Sequence, residues 1–381
     1  ENIAKQGAEV SVITCRPSYG PKETWQECPK EEYRNGVHVK RMWTTRYSKD
    51  SIIGRIINSI TFLFPLALFY VLPRKKGEVY LYTTNPPYLG FVGAFISIIK
   101  KHQYVVLLHD SYPELAVWVG KIRKGGLIDQ FWRWCNKIMY RRAEQVIVLS
   151  NAAKELVCNS YGPEPDRVHV IPNWADPTEL EPKPKDKSKF AHKHGLIEPF
   201  TVLYSGNLGL YYEFDMILNA AEQLLDENFR LVFTGAGGQR QHIEDTIKEK
   251  KLFNTLLLPY TPQDQFNDAL NCCDALLVTI ANGIDGISFP SKLYTSLSVG
   301  RPIIAFSSKN SELRKKVEDN NVGCWVELGD TDTFVEKIRF LINNPDEAKA
   351  MGKCARDLLV NEYSIEVSGK KYFDVLKKGF D

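Results

Sequence analysis

The sequence predicts an α/β fold made of two doubly wound, Rossmann-like domains facing a central cleft. Three observations predict it. Short apolar runs alternate with helical patterns from residue 9 to about 170, and again from residue 200 onward. The two series are separated by "VIPNWADPTELEPKPKDKSKF" (170–190), which holds four prolines and many charges. The chain has 381 residues, more than one ordinary core accommodates.

The elements follow in order. The opening "ENIAKQGAEVSVITC" reads as the end of a helix, stopped at Gly7, then a strand at 9–14. An alternating domain normally begins with a strand, so a leading strand and loop are expected before it. Further strands are expected at 36–42, 79–83, 104–108, 145–149 and 168–171. Helices are expected at 51–72, 87–100, 126–142 and 151–160. The Pro-rich stretch is expected to act as a linker, bounded at 179–198, after a first domain of 1–178. The second domain, 199–360, repeats the alternation from "FTVLYSG" to helix 331–343. A last helix at 361–381 is expected to cross back to the first domain.

Composition excludes several classes. Hydrophobic residues make up 44% and charged residues 25%, which is globular and not disordered. The eight cysteines form no C-x-x-C pair and no zinc spacing, so reduced cytosolic thiols are expected, and no bound metal or cofactor. No signal-peptide pattern is read at the start. The net charge of +3 is uninformative, but residues 1–180 carry seven more basic than acidic groups. That asymmetry fits an anionic partner, a membrane surface or a phosphorylated substrate. The cations are scattered and not interleaved with aromatics, which argues against nucleic acid. The apolar run "IINSITFLFPLALFYVL" (56–72), followed by Pro73-Arg74-Lys75-Lys76, fits a core helix, a helix dipping into the inner leaflet, or a short span.

"GISFPSKLYTSLSVGRPIIA" (286–305) raises the chemical question. A helix is expected from about Pro290, with Ser291 and Lys292 in its first turn and Gly300 just past its end. A lysine at the positive end of a helix is unfavourable unless an anion sits there, so a phosphate seat is expected. Four loops of the second domain follow strand ends at the same sheet edge. "SGNLG" (205–209) offers Gly206, Asn207 and Gly209 for close backbone approach. "TGAGG" (234–238), with Gly235, lacks the spacing of a dinucleotide site. "PYTPQDQF" (259–266) holds Tyr260 and Thr261. "NGIDGISFPSK" (282–292) holds Gly286, Ile287, Ser288 and Pro290. In the first domain, "VVLLHDSYPE" puts His109 and Asp110 at a strand end, and "LYTTNPPYLG" puts Thr84 and Asn85 in a neighbouring loop.

Together, "HDSYPE", "VIPNWAD", "LYSGNLG", "FTGAGGQR", "YTPQDQF", "CCDALLVT" and "FPSKLYTSLSVGRPIIA" resemble the family 4 retaining glycosyltransferases of GT-B fold. The likeness is to the cell-envelope and exopolysaccharide subgroup, fucosaminyl-transferase-like. The resemblance spans nearly the whole chain. It implies a nucleotide-sugar donor, UDP-linked, held by the second domain. It implies a saccharide acceptor, polyprenyl-diphosphate-linked, on the side of Asp110, Thr84 and Asn85, at the cytoplasmic face of the membrane. It implies transfer with retention and no metal. His109 matches the histidine near the donor sugar and leaving phosphate. Gly206 and Asn207 match the loop beneath the diphosphate, and Ser291 and Lys292 its helix-start contacts. Tyr260 and Thr261 match the segment beside the base. Two glutamates usual in relatives are replaced by Ile287 and Thr295, and the usual Arg and Lys after the "GNLG" turn are absent. The rival readings are a sugar-nucleotide epimerase or hydrolase on the same scaffold, and a non-catalytic sugar-nucleotide-binding subunit.

Overall fold

A computed structural model describes residues 1–16, 27–47, 52–71 and 77–378. The cluster Arg74-Lys75-Lys76 lies outside the described residues. The chain divides into two units, Glu1–Ile171 with the stretch from Gly369, and Pro172–Ser368.

The first unit opens with α1 (Asn2–Lys5), which ends beside Gly7 at φ 95°, a value that favours glycine. β1 (Val10–Cys15) pairs in parallel with β3 (Val37–Met42). β2 (Glu31–Arg34), which the sequence pattern did not predict, runs antiparallel to β3. Its four residues are mostly charged and exposed, so no apolar alternation marks it. α2 (Ile52–Val71) carries the apolar run. No helix among the described residues is long and apolar enough to cross a membrane. β4 (Tyr80–Thr83), α3 (Leu89–Lys100), β5 (Tyr104–Leu107), the short α4 (Glu114–Trp118), α5 (Leu127–Arg142), β6 (Gln145–Val148), α6 (Asn151–Tyr161) and β7 (Val168–Val170) follow. The last four strands form a parallel sheet in the order β4-β5-β6-β7. The β1-β3-β2 ladder is a separate sheet. Both share one core, because Ile13, Cys15 and Met42 pack against the cluster built on Tyr82, Tyr104, Val106 and Met139.

The second unit begins with the Pro-rich stretch. It lies along this unit through partners that its composition does not reveal. Lys185 Nζ donates to Asp274 at 2.5 Å, and the Phe190 amide donates to Asp268 at 2.7 Å. Within it, α7 (Lys189–His194) is capped by the Ser188 hydroxyl and stopped by Gly195 at φ 66°. Then come β8 (Phe200–Ser205), α8 (Phe214–Gln223), β9 (Phe229–Thr234), α9 (Arg240–Glu249), β10 (Thr255–Leu258), α10 (Phe266–Leu270), β11 (Ala275–Thr279), α11 (Lys292–Ser298), β12 (Ile303–Ser307), α12 (Glu312–Asp319), β13 (Gly323–Glu327), α13 (Thr331–Asn343), α14 (Pro345–Leu358) and α15 (Ile365–Lys377). The six strands are all parallel, in the order β10-β9-β8-β11-β12-β13. Strands covered on both faces read as unbroken apolar runs, as "ALLVT" and "IIAFS" do, with every residue buried. The core of this unit centres on Phe214, Phe229, Phe233, Phe306 and Phe334. Burying a side chain of that size contributes roughly 1.5–3 kcal/mol.

Candidate active site

The strand order of the second unit decides where a ligand sits. The chain winds outward from β8 through β9 to β10, then returns to add β11 on the opposite side of β8. The switch point therefore lies between β8 and β11, and in open α/β sheets the carboxyl ends of such a pair are where ligands bind. β8 runs out at Ser205 into "GNLG", and β11 at Thr279 into the loop that reaches Lys292. Two segments far apart in sequence become neighbours.

The glycines of the first two loops serve each other. The Gly206 amide donates to the Thr234 carbonyl at 2.9 Å, and the Leu208 amide to the Ala236 carbonyl at 2.8 Å. Gly235 lies at φ 147°, and a Cβ there would stand 1.9 Å from the Gly206 carbonyl oxygen. A Cβ at Gly237 would stand 2.2 Å from the Leu208 carbonyl oxygen. The absence of a side chain at 235 and 237 thus lets "TGAGG" lie under "SGNLG". Arg240 fastens the underside, donating to the carbonyls of Gly235 at 2.8 Å and Leu258 at 2.9 Å.

Lys292 occupies the centre. Helix α11 begins at this residue, with Ser291 as N-cap, and not at Pro290 as the sequence pattern suggests. The Pro290 carbonyl accepts the Leu293 amide at 3.2 Å, so the proline belongs to the preceding turn. Seven residues generate little helix dipole, which leaves the ammonium as the main positive charge. Its Nζ donates to the Tyr204 hydroxyl at 2.5 Å and lies 3.8 Å from the centre of that ring and 5.3 Å from the ring of Tyr212. A Cβ built on Gly206 would lie 3.5 Å from the same nitrogen. Among the described residues no carboxylate pairs with it. Burial therefore brings its pKa from 10.5 down to about 7. A desolvated lysine without a counter-charge, beside a backbone glycine turn, has the charge and the open backbone that an anion could use.

Tyr204 connects the lysine to the loop. It is fully buried, and its hydroxyl donates to the Asn207 carbonyl at 2.7 Å. Burial pushes its own ionisation well above the usual phenol range, so it stays protonated. Gly209 packs near Tyr212 and the Asn207 side chain. Gln239 donates to the carbonyls of Gly209 at 3.0 Å and Tyr212 at 2.5 Å, which fixes the turn.

The remaining predicted residues of this unit lie in the loops after β10 and β11 and in α11. Tyr260 is half exposed, while the Thr261 hydroxyl oxygen is buried with no hydrogen-bond partner among the described residues. Gly286, at φ 78°, turns the loop, and the Ile287 and Ser288 amides both donate to the Ile284 carbonyl. Ser291 is exposed and its side chain makes no capping bond. Thr295 Oγ1 donates back to the Lys292 carbonyl at 3.0 Å, so its hydroxyl is used within α11. Asp285 of the same loop is half-buried, which raises its pKa, and it accepts the Glu312 amide at 3.4 Å.

In the first unit, Thr84 joins two strand ends. Its hydroxyl receives the His109 amide at 3.1 Å and donates to the Asp110 carbonyl at 3.3 Å. Thr84 is buried and Asn85 exposed. Burial lowers the His109 pKa, with Asp110 opposing it. The imidazole is therefore neutral at neutral pH. Glu114, four residues after Asp110, accepts Tyr161 Oη at 2.5 Å and Arg133 Nη1 at 2.8 Å, which anchors the loop to α5 and α6.

Sequence reasoning did not select Tyr204, Tyr212 or Arg240. Tyr204 stands inside the quoted "LYSGNLG" and Tyr212 shortly after it, but a tyrosine in or after a buried strand reads as core. Arg240 closes the quoted "FTGAGGQR", and its position at the first residue of α9 was the available signal.

Residues 1–174 match the family described as glycosyl transferase 4-like domain, and residues 186–358 the one described as glycosyl transferases group 1. The probable glycosyltransferase WbjE of Pseudomonas aeruginosa is 24% identical over 332 residues, covering 86% of this chain and 81% of its own. The putative colanic acid biosynthesis glycosyl transferase WcaI of Escherichia coli is 22% identical, covering 89% and 85%. Among solved structures, Anabaena Alr3699/HepE in complex with UDP-glucose has a TM-score of 0.69 at 17% identity, over 90% of this chain and 86% of that one. WaaG, a glycosyltransferase involved in lipopolysaccharide biosynthesis, has a TM-score of 0.67 at 14% identity, over 98% and 94%. The fold is GT-B.

Proposed function

With a glycosyl transferase 4-like domain followed by a group 1 domain, the chain belongs to the group 1 glycosyltransferases, and we propose that it transfers a hexose from a UDP-sugar to a saccharide acceptor with retention of configuration. The acceptor is a polyprenyl-diphosphate-linked saccharide of cell-envelope polysaccharide assembly, met at the cytoplasmic face of the membrane, where α2 touches the leaflet. The observation that carries the donor assignment is Lys292, desolvated, without an acidic partner and set against Gly206 at the sheet switch point. Support for the base comes from the structural neighbour solved with UDP and with UDP-glucose.

The donor diphosphate lies over the Gly206–Gly209 turn with Lys292 against it. As the glycosidic bond breaks, negative charge grows on the leaving phosphate, and the ammonium offsets it in a low-dielectric site. The acceptor hydroxyl attacks from the same face and passes its proton to the departing phosphate, so no protein base is required. His109, neutral at rest, orients the donor sugar and gains charge-sharing capacity when the phosphate approaches. The base lies beside Tyr260 and Thr261. No metal is required in this scheme.

The test is twofold. UDP-sugars should raise the melting temperature of the chain, because a ligand that binds only the folded state stabilises it. The stabilising sugar should then be transferred to a polyprenyl-diphosphate saccharide with the anomeric configuration kept. Ile287 and Thr295, standing where relatives carry glutamates, favour one rival, a donor-binding subunit without turnover. Donor binding with no transfer to any acceptor would establish that rival. Conversion of the donor without an acceptor would establish an epimerase or hydrolase.

A further inference from the structure

Helix α5 of the first unit buries Asp129, Asn136, Met139 and Tyr140 and turns Leu127, Phe131 and Trp134 outward, 86%, 64% and 59% exposed. The buried polar groups are satisfied. Asp129 accepts Arg133 Nε at 2.8 Å and the Gly125 amide at 2.8 Å, and Asn136 donates to the Tyr112 carbonyl at 2.5 Å. The outward residues are four and three apart, so they form one stripe. Ile138, partly exposed, continues it.

The two helices alongside do the same. α3 packs on α5 and exposes Phe95, Ile98 and Ile99. α2 packs on α3 and exposes Ile53, Ile60 and Phe64. Scattered exposed apolar residues are normal, but nine on three adjoining helices form a patch that marks an interaction surface.

The ends of the patch are basic. Lys100 and Lys101 close α3, and Lys121, Arg123 and Lys124 precede α5. All five are exposed, and none makes an ion pair among the described residues. Apolar stripes flanked by unpaired cations match a bilayer surface, whose acyl boundary takes the stripes and whose phosphates take the cations. A protein partner would need an acidic, apolar face of the same extent.

We propose that α2, α3 and α5 form a single face that seats on a bilayer containing anionic lipid, with Phe95, Leu127, Phe131 and Trp134 entering the acyl boundary and the five cations meeting headgroup phosphates. The proposal rests on the membrane part of the functional reading, and extends it from α2 to α3 and to α5, whose sequence carries no apolar run.

The test uses the full chain and vesicles of phosphatidylcholine, with or without an equal part of phosphatidylglycerol. Co-sedimentation should be strong with the anionic vesicles, weak with phosphatidylcholine alone, and reduced by salt. Phe131→Glu with Trp134→Glu should weaken it roughly tenfold or more, since acyl-boundary contact scales with buried apolar area. Lys121→Gln, Arg123→Gln and Lys124→Gln should each cost roughly fivefold, on anionic vesicles only. Phe95→Glu, on a different helix, reads the same contact if the double variant does not fold. Binding unchanged in all these variants overturns the proposal, as does a parent that binds neither vesicle. A parent dimer dispersed by Phe131→Glu and Trp134→Glu, with vesicle binding unaffected, overturns it in favour of a second copy. UDP-sugar binding, measured on the same variants, should be unchanged. A parent that seats on vesicles but binds no nucleotide sugar sinks the transferase reading and leaves this face intact.

Discussion

The ammonium of Lys292 lies 2.5 Å from the Tyr204 hydroxyl and 3.8 Å from the centre of its ring, 88 positions away in the chain. The tyrosine supplies one acceptor and a π-face, and no negative charge. The ammonium is therefore held by a hydrogen bond and a ring face, neither of which neutralises its charge.

Removing the lysine separates the two consequences. Lys292→Ala should lose donor affinity and turnover together. Lys292→Met keeps the volume and removes the uncompensated charge. It should melt a few degrees above the parent without ligand, since about 1 kcal/mol corresponds to roughly 2–4 °C in a domain of this size. It should show no shift with UDP-sugar. Thermal melts with and without donor check both, and a donor shift equal to the parent's would overturn the assignment.

The pH dependence has a definite sign. Lys292 has a folded pKa of about 7 against 10.5 unfolded. The unfolded chain holds the extra proton between those values, so this group's penalty is full below pH 7 and is relieved as pH rises toward 10.5. A bound diphosphate restores the charge, so donor binding at pH 8 should take up a proton. Calorimetry in two buffers of different ionisation enthalpy measures it, and identical heats in both would contradict it. Tyr204→Phe should alter this proton uptake more than it alters the fold.

Gly235→Ala tests the loop interlock. Its Cβ would fall 1.9 Å from the Gly206 carbonyl oxygen, in a backbone region that disfavours side chains. A stability loss of about 1–3 kcal/mol and a donor affinity at least tenfold weaker are expected. Urea titration and calorimetry read the two quantities.

His109→Ala should lower turnover with little change in donor binding. Equal losses in both would reduce it to a donor contact. Single-turnover kinetics separates the steps.

Thr261 carries a buried hydroxyl without a partner. Thr261→Val should therefore leave the unliganded fold unchanged or up to about 1 kcal/mol more stable. If that hydroxyl serves the donor, affinity should fall severalfold at the same time. A variant that keeps full donor affinity would remove Thr261 from the site.

Much of this protein was legible from local pattern. The two alternations, the helix at 331–343, Gly300 beyond its helix and Lys292 in a first turn follow from apolar period and turn chemistry, which act over a few residues. Strand β2 stayed hidden because four mostly charged, exposed residues carry no such period. The fold of 183–194 onto the second unit stayed hidden because its partners, Asp268, Asn271 and Asp274, are roughly 80–90 residues away.

By itself the sequence determined the fold class, the loops at the strand ends and a lysine at a helix start. Only the tertiary structure decided that β8 and β11 are neighbours, that Gly206 meets Lys292 there, and that Tyr204 rather than a carboxylate receives the ammonium. It also decided which face of α5 is buried: Asp129, Asn136, Met139 and Tyr140 lie inside, while Phe131 and Trp134 face outward. Pairings across such distances depend on strand order and side-chain direction, which no short-range periodicity encodes.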